Sequence, residues 1–176
     1  MFVMMPKYQL IYSVILSVGL ASFCLNNATH LNISAQASEL TTLVVRASSG
    51  AAYKFVASSS ELARATVKTH TPWTEGVQEF SGVPLKTLLA AAGIDEKTAR
   101  QSMLKARALN DYEVEIPAQD AYDYDVLVAD QMNGSAMPVT EFGPFWIVYP
   151  RDEKPELQDS RFDHRWAWQL SELLIE

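Results

Sequence analysis

Residues 143–170 read GPFWIVYPRDEKPELQDSRFDHRWAWQL, and three of the chain's four tryptophans stand in this stretch. Phe145 to Tyr149 is an uninterrupted apolar run bounded by prolines, the pattern of a short buried strand, and it reads as a central one. A charged segment with Arg151, Asp152, Arg161, His164 and Arg165 separates it from a second run, Trp168 to Ile175, which reads as the last strand. Aromatic side chains, a histidine and two arginine groups thus gather at strand ends, where loops tend to carry binding function. The stretch reads as one wall of a ligand pocket.

Upstream, Val126 to Ala129 reads as another short buried strand and Asn133-Gly134 as a tight turn. Between Met103 and Pro117 the period is two, with Tyr112, Val114 and Ile116 on one face, Glu113 and Glu115 on the other, and Asn110-Asp111 turning the hairpin. Residues 82–93, GVPLKTLLAAAG, predict a helix. Pro84 suits its first turn, Leu85, Leu88, Leu89 and Ala92 follow the i, i+3, i+4, i+7 spacing, and Gly93 caps it. Leu40 to Ala47 and Ala51 to Ala57 predict an opening hairpin around Ser48-Ser49-Gly50. Ser58 to Ser60 then offer N-cap hydroxyls for a short helix through Leu62 and Ala65, and Thr66 to Trp73 is a polar, strand-like stretch. Strands and short helices alternate without a βαβ period or a repeat. The expectation is one β-rich α+β domain over residues 38–176, not a doubly wound nucleotide fold.

Residues 1–37 hold a lone Lys7, an apolar run from Leu10 to Leu25 and the triplet Ala35-Gln36-Ala37, the layout of a secretory signal peptide; a retained anchor is the alternative. The apolar run is sixteen residues, where a span needs about 20. The expected location is therefore periplasmic or secreted. Cys24, the single cysteine, lies in this leader, so the remainder holds no disulfide, thiolate-zinc site or thiol nucleophile. Without the leader, 13 basic residues face 21 acidic ones, a net charge of −8. That balance opposes attraction to a phosphate backbone and argues against a nucleic-acid partner.

Five blocks resemble the sulfite-oxidase-type molybdopterin-binding family: FSGVPLKTLL over 80–89 with Ala92-Gly93, ALNDY over 108–112 ahead of Glu115-Ile116-Pro117, Asn133-Gly134, GPFWIVYP over 143–150 and RWAWQL over 165–170. They run in order across nearly everything from Leu40 to Ile175 and are most similar to the family's small, exported, single-domain members. The resemblance implies a compact, β-rich mixed domain with a pterin-sized cleft between strand-end loops, and a pterin or molybdopterin as ligand. In the family's catalytic branch a loop cysteine ligates molybdenum. The corresponding stretch here, between Val67 and Gly82, holds His70, Thr71, Trp73, Thr74 and Glu75 but no cysteine. A high-valent oxo-metal site without that thiolate would need a different ligand set. The resemblance to small members also implies an accessory role beside a membrane-bound signalling protein.

Candidate ligand-binding residues follow from the chemistry of a pterin. Trp73 offers a face for stacking, as do Trp146, Trp166 and Trp168, with core packing as the alternative. Asn110, Asp111 and Tyr112 stand at the hairpin turn, where a carboxylate or amide would accept the paired donors of the pterin's amide-plus-amino edge; a plain turn-forming role is the alternative. Arg151, Arg161, His164 and Arg165 would suit a phosphate or carboxylate. The alternative is an internal salt-bridge network between Arg165 or Arg161 and Asp152, Glu156 or Asp163, which fixes the loop without a ligand. Arg165, three residues before Trp168-Gln169-Leu170 as in the small family members, is the first choice. His70 and His164 stand far apart in sequence with no third, acidic partner at ligand spacing, so no metal site is expected, and no G-x-S-x-G pattern supports hydrolysis. No residue is assigned to catalysis. Three functions compete: a non-catalytic periplasmic module that binds a pterin-like small molecule and reports to the periplasmic domain of a membrane sensor, a molybdopterin-dependent oxidoreductase with a non-cysteine metal ligand, and a ligand-free interaction protein using the face from Tyr122 to Asp125.

Overall fold

The computed structural model describes residues 41–176, so the leader reading, with Lys7 and Cys24, lies outside the described residues. Strands β1 (Thr42–Arg46), β2 (Ala52–Val56), β5 (Met103–Ala108), β6 (Glu113–Pro117) and β10 (Leu170–Ile175) form one sheet in the order β2-β1-β10-β5-β6. Only the β1–β10 pair in it is parallel; β10 stands at its centre. Strands β3 (Ala65–Thr69), β4 (Gln78–Pro84), β7 (Leu127–Met132) and β8 (Ser135–Ala136) form the second sheet in that order, with β9 (Trp146–Val148) also on β7. Three short helices, α1 (Leu85–Ala91), α2 (Glu96–Ala99) and α3 (Asp120–Asp123), and two 3-10 segments, Pro155–Gln158 and Ser160–Arg165, fill the connections.

Period-two patterning turns one face of each first-sheet strand inward: Leu43 and Val45 of β1, Leu104 and Ala106 of β5, Ile116 of β6, and Leu173 and Ile175 of β10 are buried. In the second sheet Leu127 to Asp130 and all of β9 are buried on both faces, which is why those segments read as continuous apolar runs. The Leu85, Leu88 and Leu89 stripe of α1 joins the same core. Each such leucine contributes roughly 1.5–3 kcal/mol by leaving water. Where β4 crosses β7 the register shifts between Ser81 and Gly82, and a Cβ on Gly82 would lie 2.1 Å from the Val128 carbonyl oxygen. Only glycine allows that approach.

Four sequence expectations need correction. No helix forms over residues 58–65: Ser58 takes a left-handed backbone (φ 61°), its N–H donates to Asp130 Oδ2 at 2.6 Å, and Arg64 grips the same carboxylate at 3.0 and 2.5 Å. The buried Asp130 of β7 thus draws this segment into an open loop, and the local capping preference loses. The helix expected over 82–93 starts only at Leu85, because Gly82 and Pro84 complete β4. Phe145 to Tyr149 is not central: β9 pairs with β7 and turns Ile147 N–H to the Ala167 carbonyl at 2.9 Å, at the margin of the sheet. The last strand begins at Leu170 and not at Trp168, since Gln169 is left-handed (φ 53°) and breaks the extended run. The hairpins at 42–56 and 103–117, the Asn133-Gly134 turn between β7 and β8, and the mixed β-rich class are as expected.

Candidate functional site: an aromatic cavity between strand-end loops

Three loops converge beyond the strand ends. The β3–β4 loop is built on hydroxyl chemistry: buried Thr71 accepts Trp73 N–H at 3.1 Å and Thr74 N–H at 3.0 Å through Oγ1, a side-chain substitute for a backbone turn. His70 N–H donates to Asp152 Oδ2 at 2.9 Å, and Asp152 N–H donates to Thr69 Oγ1 at 3.2 Å, so the loop is tied to the segment after β9. The β5–β6 turn uses Asp111 in the left-handed region (φ 62°), with Tyr112 N–H donating to Asn110 Oδ1 at 3.2 Å. Leu109 N–H donates to the Gln169 carbonyl at 2.8 Å, which latches this turn to the third loop. Gln169 in turn donates from Nε2 to the Val139 carbonyl at 2.7 Å.

Between them opens a cavity of about 370 Å³ lined by Trp73, Ala108, Asn110, Tyr112, Asp163, His164, Trp166, Ala167, Trp168 and Gln169. That volume lies within the range of small-molecule sites, roughly 300–1,000 Å³. Small side chains at Ala108 and Ala167 leave the space; indoles wall it. Trp73 meets Trp168 edge-on (centroids 5.1 Å apart, planes at 64°) and Trp166 at 5.9 Å and 58°, forming an angular aromatic corner. Trp73, 37% exposed, and Tyr112, 54% exposed, stand at the rim, so a ligand would cover aromatic surface that water now touches. The Trp166 indole N–H is buried without a hydrogen-bond acceptor among the described residues.

Of the residues singled out in the sequence, Trp73, Asn110, Tyr112, His164, Trp166 and Trp168 are brought together in this lining, whereas Asp111, Arg151, Arg161, Arg165 and the core residue Trp146 are not part of it. Each of the three arginines has a carboxylate partner. Arg151 Nη1 donates to Asp163 Oδ1 at 2.7 Å and its Nη2 to the Gln158 carbonyl at 2.8 Å. Arg161 pairs with Asp159 at 2.7 Å, and that bond with the Arg161 N–H holds the Asp159 carboxyl down at about 2. Arg165 Nη1 reaches Asp120 Oδ2 at 2.7 Å and lies over the Phe162 ring at 4.5 Å. Tyr149 donates its hydroxyl to the same carboxylate oxygen at 2.9 Å. Burial raises the Asp120 carboxyl, against the opposing pull of the Tyr149 and Arg165 bonds, and burial with the facing carboxylate pushes the Tyr149 phenol well above its usual 10. Asp163 was named in the sequence only as a salt-bridge partner for Arg161 or Arg165, and it pairs with Arg151 instead; Ala108, Ala167 and Gln169 were not singled out as site residues. A small residue between two tryptophans, Ala167, is the one local signal that marks them.

Fold and cavity together describe a mixed β-rich binding domain of the sulfite-oxidase type. The family model for the oxidoreductase molybdopterin binding domain matches residues 31–152, and the chain belongs to that family. Among solved structures, the sulfane dehydrogenase SoxCD from Paracoccus pantotrophus is similar in fold, with a TM-score of 0.54 at 20% identity over 76% of this chain and 37% of that one. The chain thus spans little more than a third of that protein's length. None of the curated proteins compared shows a significant similarity to it.

The donor set decides how much of a molybdopterin the cavity suits. A pterin ring finds indole faces and the amides of Asn110 and Gln169. The metal and the phosphate are not matched: residues 41–176 hold no cysteine, and the lining holds no lysine or arginine. Among the described residues no cluster of His, Cys, Asp or Glu is arranged to hold a metal ion.

Proposed function

We propose that the chain is a non-catalytic, exported binding module that holds a flat, pterin-like small molecule in the aromatic cavity and passes its occupancy to the periplasmic domain of a membrane sensor. One observation carries this reading. The loop that the family resemblance assigns to the metal's cysteine instead delivers the Trp73 indole to the cavity wall, a group that stacks but does not ligate. Occupancy can be reported if the partner's affinity differs between bound and free states by about 1–3 kcal/mol.

The test is molybdenum analysis of protein purified from the periplasm, followed by thermal unfolding with reduced and oxidised pterins. Free ligand at about 100 times Kd should stabilise the native state by about 2.7 kcal/mol. Trp73→Ala should abolish that shift while leaving a cooperative transition, because this indole is partly exposed and not a core residue. The family match favours a second reading, a molybdopterin-dependent oxidoreductase with a non-cysteine ligand. Stoichiometric molybdenum in the isolated protein would establish it over the first. Absence of both metal and any pterin-induced shift would refute both and leave a ligand-free interaction protein.

A further inference from the structure

We propose that the cavity selects a ring ligand free of phosphate, and that Asp163 sets this selection; the inference rests on the ligand reading above. Asp163 is the one carboxylate in the lining, and no lysine or arginine joins it there. A phosphate is held best by guanidinium forks or ammonium groups. Each guanidinium of the neighbouring segment has a carboxylate partner, Arg151 with Asp163, Arg161 with Asp159 and Arg165 through Nη1 with Asp120, and none of the three belongs to the lining. A phosphate entering here would meet an Asp163 carboxylate already paired with Arg151, and no lysine or arginine of the lining to receive it.

The same carboxylate suits the opposite kind of group. Arg151 occupies Oδ1 of Asp163, while Oδ2 receives no hydrogen bond from the described residues. It is therefore open to a ring amino or amide donor, and a charged acceptor makes such a bond stronger than a neutral one. The cavity thus presents a carboxylate acceptor and indole faces, and no lysine or arginine.

Isothermal titration of the full chain with 6-hydroxymethylpterin and with its phosphate monoester tests this. The expected result is binding of the uncharged pterin and at least about tenfold weaker binding of the ester, whose phosphate would leave water without gaining a cation in the lining. Asp163→Asn should narrow that gap from both sides, weakening the pterin and, by releasing Arg151 from its partner, strengthening the ester. Equal or tighter binding of the ester to the unaltered chain would overturn the selection while leaving the ligand reading intact. Binding of neither compound would overturn both. An unchanged gap in Asp163→Asn would remove Asp163 from its role. The comparison on the unaltered chain stands even if that variant does not fold.

Discussion

Replacing Arg165 with leucine separates a structural arginine from a ligand-binding one. The Asp120 side chain is 2% exposed and that of Arg165 19%, and they meet at 2.7 Å. Without the guanidinium, the carboxylate keeps the Tyr149 hydroxyl as its one side-chain donor, in an environment that already disfavours its charge. Removing one member of a buried pair typically costs about 3–5 kcal/mol, and the partial exposure of Arg165 places the expectation at the lower end, about 3 kcal/mol at neutral pH. For a domain of this size that lowers the melting midpoint by roughly 10 °C. The pH dependence identifies the cause. In the variant Asp120 titrates still higher, and a carboxyl whose folded pKa lies above its unfolded value stabilises fully below the unfolded value and loses that contribution as pH rises through the folded one. The penalty should therefore be small near pH 4 and grow towards pH 7, as followed by circular dichroism melts across that range. Adding Asp120→Asn should recover part of the neutral-pH loss, since no buried charge is then left alone. A variant that melts like the parent at neutral pH but no longer binds pterin would refute this account and return Arg165 to the ligand.

Two further outcomes follow from local geometry. Gly82→Ala should destabilise by about 3 kcal/mol or more in urea unfolding, because its Cβ would press on the Val128 and Ala129 backbone and not on a side chain that can swing away; an unchanged midpoint would mean that β4 and β7 separate freely at the bulge. Asp159, held at about 2 by Arg161, has a folded pKa below its unfolded value, so its contribution is present above the ordinary carboxylate range and lost as pH falls towards 2. Asp159→Asn should flatten the acid side of the stability profile between about pH 4 and pH 2, and a profile as steep as the parent's would assign that slope to other carboxyls.

What could be read from the chain and what could not divides along the range of the interactions involved. The β5–β6 hairpin, the Asn133-Gly134 turn and the α1 stripe are set by neighbours a few residues apart, and period and turn chemistry show them directly. Ser58 to Ser60 looked like a helix start because capping hydroxyls are a local signal, but the deciding group is Asp130, 72 residues from Ser58. The arginines posed the same problem: a fork for a phosphate and a fork for an internal carboxylate are one residue type, and the deciding partner of Arg165 stands 45 residues upstream. The aromatic part of the site was legible because indoles and a turn are conspicuous at any distance. The space between them was not, because a cavity is made by what is small, and Ala108 and Ala167 carry no chemistry that announces it. This asymmetry bears on function. A family likeness transmits the scaffold and the place of the site, whereas the charge presented inside it depends on which arginines find carboxylates within the fold. Here Arg151, Arg161 and Arg165 each find one, and the cavity is left with indoles, amides and the carboxylate of Asp163. On the proposed reading, ligand choice turns on pairings that lie mostly outside the cavity wall, and a charge-changing substitution at Asp120 or Asp159 would bear on it only by freeing a guanidinium that could reach the rim.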